Sequence, residues 1–367
     1  MPFCERYQLR RVINAIGTPT IVGGNVAAPE VIAAAAEALA LNLEIDELQR
    51  AACRVIARVT GAEAGCVTSS ASSGLAIAAA AAITGADLAR IVQLPDTAGL
   101  RNEIILQHGH DINFGGRISQ MVRLSGARIV TIGTANHCDR FHLRGALSEA
   151  TAAVLYVVNG DVPEGHFLAL EAVVEMAAAQ GVPVLVDAAA EPDVRVFLRA
   201  GASLVIASGH KALGAPTSGL LCGRKDLVRA CYLQNWGIGR AMKVGKEGIA
   251  GLMVALERYY ERPPAGYDAV IQVLRRTLTV RATERPHRVA VDLDRPARPV
   301  ANFLRERNPP IWVNDAVGNA LILDLRALRL EDAEPLAAAI SSAGEPREDL
   351  PYHDLYWSEP RLLAWPD

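Results

Sequence analysis

Ala207–Ser–Gly–His–Lys–Ala–Leu–Gly–Ala–Pro–Thr–Ser–Gly–Leu–Leu–Cys–Gly223 follows directly on the apolar run Ala202–Ser–Leu–Val–Ile–Ala207. The run is short, rich in branched aliphatic residues and bounded by glycine, which predicts a buried strand ending near Ser208. Just beyond that end stands one lysine, Lys211, with Ser208 three positions before it and His210 beside it. Desolvation disfavours an ammonium, so a lysine at the mouth of a buried strand is a candidate nucleophile or Schiff-base former. A glycine-rich loop carrying a surface lysine has the same local appearance. The surrounding chain has to decide between the two.

Working outward, short apolar runs alternate with helical stretches. Candidate strands are Ile91–Leu94, Ile104–Gln107, Arg128–Ile132, Ala153–Val158, Val182–Asp187, Leu204–Ser208 and Gly219–Cys222. Helical periodicity marks Pro29–Ala40, Ile45–Thr60, Leu75–Ile83, Ile118–Ser125, Leu170–Gln180 and Glu247–Arg262, the last stopped by Pro263–Pro264. Such alternation predicts an α/β fold, a mostly parallel sheet covered by helices on both faces. Ligands of such sheets bind beyond the carboxyl ends of the strands. After Gly266 the pattern changes to a helix over Asp268–Ala282, strands at His287–Val291 and Ala320–Leu325, and a helix over Glu331–Ala343. We read three segments: an N-terminal arm and helix (1–44), a large ligand-binding domain (45–262) and a small C-terminal α+β domain (263–367). The tail from Gly344, rich in Pro, Trp and Tyr, is expected to pack on a partner subunit.

Composition narrows the class. The chain has 367 residues, 51% apolar and 21% charged, with 37 basic against 40 acidic side chains. That balance offers no basic field for a polyanion, so no nucleic-acid partner is expected. The six cysteines lack C-x-x-C spacing and fit reduced thiols better than disulfides or zinc; no metal site is expected. Met1–Arg11 lacks a signal-peptide core, and the alanine-rich run after Leu75 is too short to span a bilayer. The expectation is a soluble, cytoplasmic protein with no membrane partner.

Thr68–Ser–Ser–Ala–Ser–Ser–Gly74 stands between a strand and a helix. Helix-start N–H groups and small hydroxyls form a phosphate cup, here Ser69, Ser70 and Ala71, or simply a serine N-cap. Val184–Leu–Val–Asp187 ends an apolar strand on a carboxylate that either caps the next helix or meets a cation. Asp187 precedes Lys211 by one parallel β-α-β step, which brings both to the same sheet edge. A phosphate cup, an acid, and a serine with a lysine are what pyridoxal phosphate requires: a seat for its phosphate, a partner for its ring nitrogen and an amine for its aldehyde.

The chain resembles the selenocysteine synthase branch of the fold-type-I pyridoxal-phosphate enzymes. The likeness is strongest to its shorter relatives of the selenium-transferase-like or D-glucosaminate-6-phosphate ammonia-lyase-like kind. The matching residues, between about 8 and 260, are Arg11–Val–Ile–Asn–Ala–Ile–Gly17 with Gly23–Gly24, the Thr68–Gly74 cup, Leu94–Pro–Asp–Thr97 and Phe114–Gly–Gly–Arg117. They continue with Gly126–Ala–Arg–Ile–Val–Thr–Ile–Gly–Thr–Ala–Asn136, Ser208–Gly–His–Lys–Ala–Leu–Gly–Ala–Pro216 and Gly239–Arg–Ala–Met–Lys–Val–Gly–Lys–Glu247. By this resemblance the cofactor is pyridoxal 5'-phosphate, Lys211 is its Schiff-base lysine and Asp187 its ring-nitrogen partner. Ser208 joins the phosphate seat, and His110 stacks on the ring. The resemblance also places the basic cluster Arg240, Lys243 and Lys246 near the active site, contributed by a neighbouring subunit, and so implies a homodimer or larger homo-oligomer with shared sites. Arg117 and Thr20, in the glycine-bearing arm, are further substrate-contact candidates.

Two departures matter. The chain starts at the catalytic region, without the extra N-terminal domain of the true selenocysteine synthases, so transfer-RNA chemistry is not expected. The lyase-like relatives carry glycine before the lysine and arginine soon after it; here His210 and Gly214–Ala215 stand there. The change weighs against a phosphosugar substrate and offers His210 as a catalytic acid or base. The resulting expectation is a lyase acting at Cα–Cβ of an amino acid through the Lys211 Schiff base, by β-elimination of the ammonia-lyase type or by retro-aldol cleavage. The rivals are a racemase, an aminotransferase and a β-replacing transferase. A cofactor-binding subunit without turnover is disfavoured by the intact Lys211 and Asp187.

Overall fold

The computed structural model describes residues 2–158, 162, 165–191, 193–261 and 266–343. The chain divides into two compact units, Val26–Pro264 and the pairing of Met1–Asn25 with Ala265–Asp367. The segment read from sequence as one N-terminal piece, 1–44, is therefore shared between them. The Pro263–Pro264 stop and the tail from Gly344 lie outside the described residues.

The large unit is built on seven strands: β1 (Ala64–Thr68), β2 (Glu103–Gln107), β3 (Arg128–Ile132), β4 (Thr151–Val157), β5 (Val184–Asp187), β6 (Leu204–Ser208) and β7 (Gly219–Gly223). They lie in the order β1-β7-β6-β5-β4-β2-β3. All seven point the same way except β7, which is antiparallel to both of its neighbours. Alternate residues serve opposite faces. Val184, Val186, Val205 and Ala207 join one core with the helices Ile45–Thr60, Leu170–Ala178 and Lys246–Glu261. Leu185, Leu204, Ile206 and Leu155 join the other with the helix Ala71–Thr84. A sheet covered on both faces has no polar side, which is why its strands are continuous apolar runs.

Two sequence expectations are corrected. Ile91–Leu94 is not a strand; Leu88–Gln93 is a short helix whose N-cap, Asp87, accepts from the Ala89 and Arg90 N–H groups at 2.9 and 3.3 Å. Asp268–Ala282 is not one helix: Asp268–Arg275 is helical, and Thr279–Ala282 pairs antiparallel with Arg288–Asp292. The N-terminal arm contains a strand at Ile13–Ala15 that pairs in parallel with Ile311–Val313.

The small unit carries a four-stranded antiparallel sheet, ordered Asp315–Val317, Ala320–Asp324, Arg288–Asp292 and Thr279–Ala282, with helices at Asp268–Arg275, Ala297–Glu306 and Leu330–Ser341. Its fully buried acid, Asp324, is kept ionised by Arg326 at 2.7 Å and Arg288 at 3.2 Å. Burial raises this carboxyl's pKa, and the Arg326 hydrogen bonds more than reverse the effect. Among the described residues no helix is long and apolar enough to cross a membrane.

Candidate active site at the carboxyl edge of the sheet

The pairing register lines up a row of residues along one edge. Thr68 of β1 faces Gly219 of β7, and Gly219 faces Ser208 of β6. Asp187 of β5 faces Ile206 of β6 on one side and Val157 of β4 on the other. By strand alternation Thr68, Ser208 and Asp187 point to the face covered by the helix Ala71–Thr84.

That helix begins on Ser70, whose hydroxyl accepts from the Ser73 N–H at 3.0 Å while the Ser73 hydroxyl accepts from the Ser70 N–H at 2.9 Å. This reciprocal capping box satisfies two N–H groups at the helix start. The Ser69 hydroxyl donates to Ser73 Oγ at 3.0 Å. The N–H groups of Ala71 and Ser72 then lead the first turn with the positive end of the helix dipole behind them.

The cup fits against the sheet because Gly219 has no side chain. A Cβ there would lie 2.3 Å from both the Ser70 carbonyl oxygen and Thr68 Oγ1. Gly219→Ala is therefore expected to push the helix start out of register and to cost about 1–3 kcal/mol, the usual range for overpacking. Urea unfolding of the variant against the parent measures that cost.

Asp187 is 5% exposed, and its Oδ1 accepts from the Ala189 N–H at 3.1 Å. Burial pushes its carboxyl up to about 6, while the nearby Lys211 charge and the Ala189 hydrogen bond pull the other way. Lys211 itself is half-buried. His210 is buried, with Nδ1 3.0 Å from Ser208 Oγ. Burial, then the Lys211 charge, lowers its pKa and keeps the imidazole neutral. Ser208, expected on the phosphate, thus has its hydroxyl on His210.

His110 follows β2 on a single 3-10 turn, His108–His110. It is buried, and its Nδ1 accepts from the Val157 N–H at 3.1 Å, one strand from Asp187. The Tyr156 ring meets it edge-on at 4.8 Å, and Phe167 lies at 5.5 Å. A cavity of about 460 Å³ opens beside His110, walled by Phe167, Leu170 and Phe197, with Tyr156 and Glu171 as its polar members. Tyr156 and Phe167 were not foreseen. Phe167 reaches His110 only through the tertiary fold and leaves no local signal.

The substrate-contact candidates are more dispersed. The Arg117 guanidinium pairs with Asp111 at 2.5 Å, and Asp111 also accepts from the Ser119 N–H and hydroxyl. The Lys246 ammonium donates to the Leu41 carbonyl and so ties the start of the helix Lys246–Glu261 to that loop. Arg240 and Lys243 are exposed, Arg240 on the turn Ile238–Met242 and Lys243 just after it. Thr20 belongs to the other unit, on the turn Thr20–Val22. Among the described residues no three His, Cys, Asp or Glu side chains converge as metal ligands.

The chain is similar to known proteins over most of its length. The profile of the L-seryl-tRNA selenium transferase family, SelA, matches residues 12–295. D-glucosaminate-6-phosphate ammonia lyase of Salmonella typhimurium is 45% identical over 70% of this chain and 70% of its own length. 5'-C-glycyluridine monooxygenase-decarboxylase of a Streptomyces species is 42% identical over 69% of this chain and 64% of its own length. A solved D-glucosaminate-6-phosphate ammonia-lyase superposes with a TM-score of 0.86 at 35% identity, covering 94% of this chain and 100% of that one. A structure of SPT with a PLP internal aldimine shares the fold alone, with a TM-score of 0.56 at 18% identity over 91% and 87% of the two chains. The profile match and these identities make the chain a member of the SelA family, an enzyme of the fold-type-I kind whose family membership implies pyridoxal phosphate.

Proposed function

We propose that the protein is a pyridoxal-phosphate-dependent lyase acting at Cα–Cβ of an amino acid, by elimination with release of ammonia. Asp187 carries the reading. A carboxylate buried at the sheet edge beside one backbone N–H is costly unless a cation meets it. A protonated pyridine nitrogen is such a cation, and the residues around Asp187 fit the rest of the group. The Ala71 and Ser72 N–H groups with the Ser69 hydroxyl suit its phosphate, Lys211 suits its aldehyde, and His110 offers a buried aromatic face one strand away. When bound, the cofactor supplies an electron sink for the pair left on Cα.

The chain's own part is proton movement and binding. Asp187, ionised, holds the ring nitrogen's proton. The Lys211 amine takes the proton from Cα. His210, with Nδ1 3.0 Å from the Ser208 hydroxyl, is assigned the acceptor role there, which leaves its ring proton on Nε2 for donation to the departing β-hydroxyl, lost as water. One water is taken up on hydrolysis, and a keto acid and ammonia result. Arg117, Arg240, Lys246 and Thr20 remain the candidates for substrate contacts, and a homodimer or larger assembly with shared sites belongs to the same proposal.

The name of the 45%-identical relative supports elimination. The name of the 42%-identical relative supports a second reading, oxygen-dependent decarboxylation. A panel of D- and L-β-hydroxy amino acids, assayed for ammonia, keto acid, carbon dioxide and oxygen uptake, separates them. Equal ammonia and keto acid without oxygen uptake is the expected result. Oxygen uptake with carbon dioxide establishes the second reading. Glycine with an aldehyde, a racemised substrate, or dependence on an added keto acid transfers the assignment to retro-aldol cleavage, racemisation or transamination.

A further inference from the structure

We infer that Gln107 is a positioning residue for His110: its side-chain amide clamps Leu168 to the end of β2 and holds Phe167 on the 108–110 turn, against the His110 imidazole.

Gln107 is the last residue of β2 and is 3% exposed. Its Oε1 accepts from the Leu168 N–H at 2.9 Å, and its Nε2 donates to the Leu168 carbonyl at 3.4 Å. A side-chain amide that meets both backbone groups of one residue acts as an added rung of the sheet. The rung fixes the residue before it: Phe167 lies so close to the turn that a Cβ on Gly109 would come within 2.3 Å of Phe167 Cζ. Phe167 and Tyr156 then close around His110.

The hydrogen-bond pattern fixes the tautomer as well. His110 Nδ1 accepts from Val157, so the ring proton of the neutral imidazole sits on Nε2. Gln107 Nε2 lies 3.5 Å from that nitrogen, donor facing donor, and directs its hydrogens to Leu168 instead. Burial alone pushes His110 down to about 4. Among the described residues, the titratable groups that line the cavity with the ring are Tyr156 on β4 and Glu171, while Asp187 on the neighbouring β5 pairs with Val157, whose N–H donates to the ring. Its own turn carries the exposed His108 and is followed by Asp111, whose largely buried carboxylate is engaged by Arg117 and Ser119.

The inference rests on the proposal that His110 borders the cofactor, and its test does not depend on turnover. In the holoenzyme, Gln107→Glu places a carboxylate beside His110 Nε2 and removes the donor to Leu168. The His110 titration, followed by NMR on selectively labelled histidine, should move up by about 1–3 pH units, the range for a close opposite charge. The acid limb of kcat/KM should move with it. Gln107→Leu keeps the bulk without the rung and should lower kcat roughly tenfold to a hundredfold through lost orientation, with KM little changed. An unchanged His110 titration in Gln107→Glu, or full kcat in Gln107→Leu, overturns the inference. A wild-type protein that never takes up pyridoxal phosphate contradicts the proposed function, while the His110 titration still decides the clamp.

Discussion

Lys211→Ala should leave a folded protein that takes up pyridoxal phosphate weakly, holds it non-covalently and turns over at least roughly 10²–10⁴-fold more slowly, the range for loss of a positioned proton-transfer group. The fold should survive because Lys211 is half-buried in a turn beyond β6, while the core of that strand, Leu204–Val205–Ile206, is fully buried and untouched. The loss is doubled in kind: the same amine is the covalent anchor and the base at Cα. Its charge also helps keep Asp187 ionised and His210 neutral, so both groups are perturbed when it goes. Added primary amines restoring part of the turnover would identify the base role separately from the anchor.

Asp187→Asn should separate stability from activity. In the cofactor-free protein the Asp187 carboxyl titrates at about 6, above its unfolded value near 4, because burial opposes the charge. Between those values the folded chain holds a proton that the unfolded chain has released. Stability therefore falls as pH rises from about 4 to 6 and stays lowered above that window. The cost is on the order of 2–3 kcal/mol. The asparagine variant, still accepting from the Ala189 N–H, should recover most of it at pH 8 and almost none at pH 4, as urea unfolding at the two pH values will show. Its turnover should drop by about 10²–10³-fold, as when one preorganised electrostatic partner is removed. A variant that is less stable than the parent at pH 8 without cofactor contradicts the reading of Asp187 as a carboxylate awaiting a cation.

How much of this was legible depended on where each signal resides. The strands around Asp187 and Lys211 read clearly because burial on both faces leaves them apolar throughout, and each polar residue that ends one marks the sheet edge. Ile91–Leu94 has the same apolar appearance, and the Asp87 side chain caps the first turn of the helix Leu88–Gln93 that it belongs to. Thr279–Ala282 is a strand through its pairing with Arg288–Asp292, a tertiary fact invisible to local periodicity. The same division runs through the site. The serine cup, Asp187, Ser208, His210 and Lys211 each announce themselves by position. The Ser208–His210 contact, the Phe167 wall on His110 and the Gln107 rung join residues far apart in the chain or turn on side-chain geometry. Arg117 belongs to a matching motif and Lys246 to the basic cluster that the resemblance places near the site, yet each has a partner within the chain, Asp111 and the Leu41 carbonyl.

If Lys211 carries the cofactor, chemical reduction fixes the cofactor to it. The measurement is borohydride reduction of the purified protein with pyridoxal phosphate, followed by peptide mapping. One modified peptide is expected, the one containing Lys211, with the visible absorption of the protein lost on reduction and absent from Lys211→Ala. Label at another lysine, or an unlabelled Lys211 peptide in protein saturated with cofactor, would contradict it.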